Sequence, residues 1–284
     1  MPGFSRQGFA LTSCPMTHQS LSRDIIRLEG PETDTLLQGL LTCNVEGQAP
    51  GEIRHGALLT PQGKIVDAML LTKTADALFI DVASGRGDGL LKKLKLYRLR
   101  AKVEIEDAGA AYHIAMGEAP PGALVSAPDP RHEGLPTRHL VEGAPENADG
   151  DEMVRDELLG LGVPDFGLGF GEADSFPLGV NLDLLNGIDH KKGCFVGQEV
   201  ASRMFRKGEI RKRTWQVEGE GLSEGQDLKV DGRTVATVTA AQGDLGLAAT
   251  RVDLVSPATA LDVDREDGST VRLFQPAYFP KVPS

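Results

Sequence analysis

The sequence predicts an α+β region followed by a small all-β domain. Strand-like and helix-like patterns are mixed up to about residue 209. From about residue 210 the chain changes to β-rich runs, separated by the hairpin-forming pairs Asp231-Gly232 and Asp267-Gly268. Such runs are typical of a small barrel or sandwich. The length of 284 residues also favours two domains.

The first part of the chain alternates between predicted strands and helices. Apolar runs predict strands at 24–29, 55–60, 65–72, 78–82, 102–106 and 112–115. A first helix follows Gly30-Pro31, because proline suits the first turn of a helix. A second helix has Leu90, Leu94 and Tyr97 on its apolar face and lysines on the opposite face.

The next segment, 117–150, is rich in Pro, Gly and Ala, so we expect it to consist mainly of loops. A short helix at 152–159 should stop at Gly160 and Gly162. The predicted division is an N-terminal tail at 1–23, a mixed region of two sub-domains at 24–209 and a C-terminal β-barrel at 210–284.

The N-terminal residues 1–23 contain no acidic residue, as in a mitochondrial targeting segment. The segment has few arginines and little amphipathic periodicity. We therefore favour a short tail, or translation from an upstream start codon with Met16 as the true start, over targeting. The compartment stays open: cytoplasmic for a bacterial protein, mitochondrial matrix for a eukaryotic one.

Charge is distributed unevenly along the chain. The formal net charge is −11, but segments 84–102 and 191–213 each carry a clear excess of Lys and Arg. This asymmetry indicates an anionic ligand or partner, with a solvated helix face and loop as the alternative. The acidic total and the scarcity of aromatic residues in both segments argue against direct nucleic-acid binding.

Several classes of site are excluded or disfavoured by composition. Cys14, Cys43 and Cys194 are far apart, so one copy cannot hold a four-cysteine metal site, and a reducing compartment is favoured. The six histidines show no ligand spacing, and we expect no resident metal. No apolar run approaches the roughly 18 residues of a membrane helix, so we expect no membrane partner.

The most informative stretch is Lys192–Glu199, KGCFVGQE. Gly193 and Gly197 permit tight turns and close approach to a ligand. Neighbouring positive charge favours the thiolate of Cys194, so this side chain is predicted to be nucleophilic or metal-avid if exposed. Gln198 and Glu199 could hydrogen-bond the edge of a heterocycle. The alternative is a glycine-shaped turn in which the cysteine only packs.

This stretch resembles the signature K-G-C-[YF]-x-G-Q-E of the YgfZ family, which is related to the T-protein (aminomethyltransferase) of the glycine cleavage system. The likeness extends from about Asp24 into the C-terminal domain. It includes Phe176-Pro177 through Asn181-Leu182-Asp183, Arg203 and Lys207-Gly208, and the upstream segments 36–42 and 57–65. The ordered set of motifs makes chance similarity improbable.

The resemblance implies a T-protein-like folate-binding fold with mixed, ferredoxin-like sheets, followed by a small antiparallel β-barrel. It implies a factor that assembles or repairs iron–sulfur clusters, especially in radical enzymes that modify tRNA. Tetrahydrofolate is the implied ligand, and Cys194 would contact a cluster transiently together with ligands from assembly proteins or client enzymes. The implied folate-site residues are Lys192, Gly193, Phe195, Gly197, Gln198, Glu199, Asn181 and Arg203.

The chain departs from the family pattern near the expected pocket. Leu158 replaces an arginine, which Arg155 could supply from one turn earlier. Gly179 replaces an acidic residue, and Arg206 replaces a histidine. T-proteins carry a pair of aspartates that act on the pterin, but here Asp67 is followed by Ala68. Asp67 is expected either to bind a pterin or to face solvent from its strand.

Four functions remain open at this stage. The missing second aspartate and the retained cysteine motif favour a non-enzymatic, folate-dependent iron–sulfur factor. The alternative enzyme is a tetrahydrofolate-dependent aminomethyltransferase with Cys194 and Asp67 as its catalytic residues. A nucleic-acid-binding protein and a paralogue without ligand are the third and fourth.

Overall fold

The structure is a computed structural model that describes residues 18–145, 150–208, 210–255 and 258–280, without the side chain of Lys207. Cys14 and the predicted targeting segment or tail up to residue 17 lie outside the described residues. The first elements are β1 (Gln19–Leu21), β2 (Arg23–Glu29), α1 (Thr33–Gln38), β3 (Ile53–Leu59), β4 (Ile65–Lys73), β5 (Leu78–Ala83), α2 (Gly87–Arg98), β6 (Glu104–Asp107) and β7 (Tyr112–Met116). They are followed by β8 (Ala123–Ala127), β9 (Arg138–Glu142), α3 (Gly150–Leu161), β10 (Asp165–Phe166), β11 (Gly169–Phe170) and α4 (Gln198–Lys207). The C-terminal elements are β12 (Lys212–Glu218), β13 (Asp227–Val230), β14 (Arg233–Gln242), β15 (Leu245–Arg251), α5 (Val252–Val255), β16 (Ala260–Asp264) and β17 (Thr270–Phe274).

Two antiparallel sheets form the mixed region. The larger has the order β3-β4-β5-β2-β6, and the smaller has the order β1-β7-β9-β8. Strand β4 lies inside the larger sheet, and eight of its nine residues are buried. Helix α2 covers this sheet, because Leu90 and Leu94 are buried in a cluster with Ile26, Leu28 and Ile105. The lysines lie on the opposite face of α2, as the periodicity predicts.

The C-terminal domain is a closed barrel with the strand order β12-β15-β14-β13-β16-β17. Trp215 is 1% exposed and packs in its core with Val217 and Leu273. Asp231 and Gly232 join β13 to β14 with φ values of 50° and 75°, the two positive values that a tight hairpin turn requires. The predicted fold class, α+β followed by a small antiparallel barrel, is confirmed.

Three local predictions differ from the structure. Strands β8 and β9 lie within 117–150, because β9 pairs with β7 and β8 pairs with β9, and this pairing imposes an extended conformation on a segment with turn-rich composition. Helix α3 runs through Gly160 to Leu161 and ends before Gly162, whose φ is 73°. Strand β1 lies inside the predicted tail, paired with β7. The domain boundaries themselves stay a prediction.

A buried ionic network joins the two sheets. Asp81 of β5 accepts hydrogen bonds from Arg23 of β2, at 2.9 Å, and from Arg138 of β9. Arg131 binds Asp129 and Asp165 in the same network. Burial alone would raise the pKa of Asp129, but the guanidinium groups of Arg131 and Arg138 outweigh it and hold that pKa well below its ordinary value.

Candidate functional site

The Lys192–Glu199 loop is attached to the larger sheet by a buried lysine. Lys192 is 8% exposed, and its Nζ atom donates hydrogen bonds to the carbonyl oxygens of Gln38, Leu41 and Cys43 at 2.8, 2.6 and 2.7 Å. These carbonyl groups belong to the last residue of α1 and to the segment after it, where no helical N–H group is available to bond them. Lys192 therefore holds the loop against the end of α1.

Two further residues fix the loop on its other side. Phe195 is 8% exposed and packs in the cluster that contains Leu59 and Ile65. Gly197 has a φ of 78°, and a Cβ atom there would lie 2.6 Å from the carbonyl oxygen of Thr60. Only glycine satisfies both the backbone angle and this close approach to the β3–β4 turn.

Cys194 lies between these anchors and is exposed to solvent. The contrast with Cys43 is clear, since Cys43 is 4% exposed and burial raises the pKa of its thiol to about 11. Cys43 also faces Gly56, where an added Cβ atom would lie 2.5 Å from its Sγ atom. Of the two cysteines in the described residues, Cys194 alone is accessible to a reagent or partner.

The two neighbouring lysines have different environments. Lys191 is exposed, whereas burial lowers the pKa of Lys192 to about 8. The ammonium of Lys192 is already used by three carbonyl oxygens and lies 5.2 Å from the centre of the Phe195 ring. These contacts give Lys192 a structural role, and its predicted contact with a ligand stays a prediction.

We expect Lys192→Met to destabilise the protein by about 2–4 kcal/mol, because three buried carbonyl oxygens lose their donor. The matched variant Lys191→Met should have little effect, since that side chain is exposed. Urea unfolding of both variants measures the difference. Equal stabilities for the two variants would contradict the anchoring role.

Asp67 is buried in β4 and covered by an arginine. It is 1% exposed, which excludes the solvent-facing alternative, and its Oδ1 atom accepts a hydrogen bond from Arg86 Nε at 2.7 Å. Arg86 also pairs with Glu172 at 3.0 Å and lies over the Phe166 ring at 4.8 Å. Burial raises the pKa of Asp67 against the opposing effect of Arg86. The second oxygen, Oδ2, has no hydrogen-bond partner in the described residues.

The remaining predicted residues are divided between the domain contact and the surface. Asn181 is fully buried, and its Nδ2 atom donates to Thr214 O at 2.8 Å and to Tyr278 Oη at 3.0 Å, so it joins the mixed region to the barrel. Arg203 pairs with Glu199 at 3.3 Å on the exposed face of α4. Gln198 donates a long hydrogen bond to Gly193 O, at 3.4 Å.

These contacts bring part of the predicted site together. Lys192, Phe195 and Gly197 converge around Cys194, with Gln198 closing the loop. Asp67 belongs to a separate cluster with Arg86, and no hydrogen bond or ion pair among the described residues joins it to the loop.

A cavity of about 630 Å³ lies between the 174–180 segment, α4 and the barrel. Phe176 lines it beneath Lys64, whose Nζ atom is 4.3 Å from the ring centre. Further cations come from Arg211, Lys212 and Arg251. Gly179 also lines this cavity, at the position where the family pattern has an acid. Two features of the sequence pointed to this cavity: the glycine at position 179 in place of an acid, and the basic segment that ends at Arg213.

Two other cavities contain residues noted in the sequence. One of about 690 Å³ is lined by His190 and Phe205, whose rings stack with centres 3.6 Å apart. Burial lowers the pKa of His190. The other, of about 420 Å³, is lined by Arg155 and Leu158 beside the buried ionic network.

The described residues offer neither a metal-binding cluster nor a membrane-spanning helix. They contain no group of three or more His, Cys, Asp or Glu side chains placed to hold a metal ion. None of their helices is both long enough and apolar enough to cross a membrane.

Comparison with known families and structures is consistent with this architecture. Residues 211–281 match the family described as "CAF17, C-terminal beta-barrel domain". The fold resembles the glycine cleavage system aminomethyltransferase T from Bartonella henselae, with a TM-score of 0.71 and 14% identity over 93% of this chain and 86% of that one. At this identity the likeness concerns the fold alone.

Sequence relatives carry the name iron-sulfur cluster assembly factor IBA57, mitochondrial, or its homolog. The human protein is 28% identical over 80% of this chain and 74% of its own length. The Phaeosphaeria nodorum protein is 27% identical over 92% of this chain and 75% of its own length. The Mycosarcoma maydis protein is 29% identical over 67% of this chain, and that match spans about half of the fungal protein, 54%.

Proposed function

We propose that this chain is an accessory factor for iron–sulfur cluster assembly or repair, in which Cys194 contacts the cluster as cargo. The observation that carries the proposal is the exposed Cys194 between two buried anchors, Lys192 and Phe195. A thiol held in this way is presented to a partner without reordering of its loop. One cysteine cannot complete a cluster, so the remaining ligands come from an assembly protein or client enzyme. The names of the relatives support the same process.

The environment of Asp67 favours this function over aminomethyl transfer. A carboxylate that acts on a folate must be reachable, but Asp67 is 1% exposed and Arg86 occupies its Oδ1 atom. Ala68 follows it, so the second aspartate of the T-protein pattern is absent. The transferase remains the alternative that a turnover assay would reveal.

Replacing Cys194 by Ser is the direct test. We expect Cys194→Ser to keep the thermal stability of the parent, because the side chain is exposed, and to lose support of iron–sulfur enzymes in cells that lack the endogenous homologue. Lys191→Met, at an exposed neighbour, is the matched control and should complement fully. Full complementation by Cys194→Ser would remove Cys194 from the mechanism.

We also propose tetrahydrofolate as the ligand of the cavity lined by Phe176. Its volume of about 630 Å³ suits a small molecule, and Lys64, Arg211 and Lys212 match the carboxylates of a folate tail. Phe176 offers an apolar surface to the pterin. Gly179 supplies no side-chain acceptor for the pterin N–H groups. Asp174 is the one carboxylate among the lining residues, against four cations, so the residues present suit the anionic tail best.

Calorimetric titration of tetrahydrofolate into the full chain tests this ligand. We expect binding, weakened about tenfold or more by Arg211→Ala with Lys212→Ala, because charge-assisted contacts are lost. Lys229→Ala, a barrel lysine outside the cavity, should bind as the parent does. No binding would remove folate and leave the Cys194 proposal standing, whereas binding with turnover of an amine donor would support the transferase.

The family branch, the client enzymes and the compartment are further parts of the same proposal. Membership of the YgfZ branch and tRNA-modifying radical enzymes as clients follow from the sequence motifs rather than from the relatives named above. Those relatives are mitochondrial by name, which favours the matrix for a eukaryotic source. A cytoplasmic location in a bacterium stays a prediction.

A further inference from the structure

An exposed apolar cluster lies at the C-terminal end of α2. Leu96 is 73% exposed, Leu99 is 82% exposed and Tyr97 is 38% exposed. The other large exposed apolar residues in the described chain are Leu124 and Phe205, at 48% and 47%. We call residues 92–102 the α2 tip. Single exposed apolar residues are ordinary, but three within four positions require an explanation.

Leu99 is also held in a strained backbone conformation. Ala101 N donates a hydrogen bond to Arg98 O at 2.8 Å, closing a turn in which Leu99 is the first central residue. Its φ of 46° and ψ of −104° are close to those of a type II′ turn, where glycine is preferred at this position. The chain thus has a leucine where glycine, which lacks a Cβ atom, would be less strained. Strain of this kind is a reason to look for a function.

The charge around these residues is positive and unpaired. Lys92, Lys95, Arg100 and Lys102 are exposed and form no ion pair among the described residues. Lys93, by contrast, pairs with Glu172 at 3.1 Å. The net charge of the chain is −11, so this patch is opposite in sign to the whole. Glu32, which accepts a hydrogen bond from the backbone N–H of Lys102, is an acid at the tip, and acids farther away are screened over about 8 Å at physiological salt.

The composition of the tip distinguishes between partners. Residues 92–102 line none of the three cavities described above. Protein partners bind through patches of about 800 Å² on each side, whereas the tip offers three apolar side chains with exposed cations beside them. Two exposed leucines, an interfacial tyrosine and surrounding cations match insertion into a bilayer surface.

We propose that the α2 tip docks this protein on the surface of an anionic phospholipid bilayer. Leu96 and Leu99 enter the boundary of the acyl chains, Tyr97 lies at the headgroup level, and the cations contact headgroup phosphates. The sequence analysis expected no membrane partner because the chain has no spanning segment. The exposed leucines lead us to propose binding to a membrane surface, which needs no spanning segment. The proposal does not depend on Cys194 or on folate.

Vesicle sedimentation tests the proposal with the full chain. We expect binding to vesicles of phosphatidylcholine and phosphatidylglycerol, about two to one, weakening as salt is added, and none to phosphatidylcholine alone. Leu96→Asn with Leu99→Gly should weaken binding about tenfold or more, since both apolar contacts are lost. The single variant Leu99→Gly should keep or raise the melting temperature, because the strained φ is relieved. If the leucine variants lose vesicle binding but keep the melting temperature of the parent, the loss is one of docking and not of folding.

Matched variants elsewhere on the surface are the controls. Leu124→Asn and Arg233→Glu should bind as the parent does, whereas Lys95→Glu with Arg100→Glu should lose binding. Failure of the parent protein to sediment with anionic vesicles would overturn the proposal, as would equal losses in the control variants. If the parent does not bind vesicles but binds a polyglutamate peptide, and variants at Leu96 and Lys95 lose that binding, the tip contacts an acidic protein and the membrane proposal is wrong.

Discussion

Replacing Arg138 by Met is expected to lower the free energy of unfolding by about 3–5 kcal/mol, because it removes one partner from a buried ionic network. Arg138 is 1% exposed, Asp81 is 2% exposed and Asp129 is 3% exposed. Without Arg138, the ion pairs left to these carboxylates among the described residues are Asp81 with Arg23 and Asp129 with Arg131. Neither carboxylate can recover its lost interactions from water at this burial. Urea unfolding at neutral pH measures the loss.

A matched exposed arginine provides the control for this prediction. Arg251 pairs with Asp253 at 2.8 Å on the surface, so Arg251→Met should change the stability little. A double variant, Arg138→Met with Asp81→Asn, should regain part of the loss, since it removes an uncompensated carboxylate. Equal stabilities of Arg138→Met and Arg251→Met would show that the network does not stabilise the fold.

The same network predicts how stability depends on pH. The neighbouring arginines overcome burial and hold the pKa values of Asp129 and Asp165 below their ordinary range. A carboxyl group with a lowered folded-state pKa adds stability above its unfolded pKa and loses it as the pH falls further. Arg138→Met should therefore unfold in acid at a higher pH than the parent protein, which a pH titration followed by circular dichroism would measure.

Gly197→Ala is expected to destabilise the protein by about 2–4 kcal/mol and to displace the loop that carries Cys194. Alanine at a φ of 78° is strained, and its Cβ atom would lie 2.6 Å from Thr60 O and 2.9 Å from the Leu59 Cβ atom. The β3–β4 turn is closely packed on the same surface, since a Cβ atom added at Gly63 would lie 2.8 Å from the Val200 Cβ atom. Chemical denaturation and the rate at which a thiol reagent modifies Cys194 report both effects.

Gly193 provides an internal control on the other side of Cys194. A Cβ atom there would meet nothing within 4 Å, and Gly193 is not among the glycines with positive φ. Gly193→Ala should therefore keep the stability of the parent. If both variants proved equally stable, the contact between Gly197 and Thr60 would not constrain the loop.

Much of the fold was predictable because local patterns and tertiary structure agree. The apolar face of α2, the buried β4 and the hairpin at Asp231-Gly232 each correspond to a residue pattern whose period or turn type has one dominant structural meaning. Strands β8 and β9 were not predictable, because their short runs become strands through tertiary pairing, β9 with β7 and β8 with β9. Gly160 did not end α3, since packing of Leu158 and Leu159 continues the helix past it.

The sequence identified the cysteine loop but not the contacts that its residues make. The motif identified Cys194 and the two glycines beside it, and the structure places the cysteine in solvent. The role of Lys192 could not be read from the motif, because its three acceptors lie about 150 positions away. The hydrogen bond from Arg86 to Asp67 could not be predicted for the same reason, since the two residues are 19 positions apart.

The sequence alone determined the class of fold, the position of the cysteine motif and the uneven distribution of charge, because these depend on residue type and spacing. Only the tertiary structure decided which charges are free. Lys192 and Arg86 are held by hydrogen bonds to residues of the chain itself, whereas the cations of the α2 tip remain exposed around Leu96 and Leu99. The physical reason is that burial and pairing depend on residues distant in the chain, and these govern what a charged or apolar side chain can still bind.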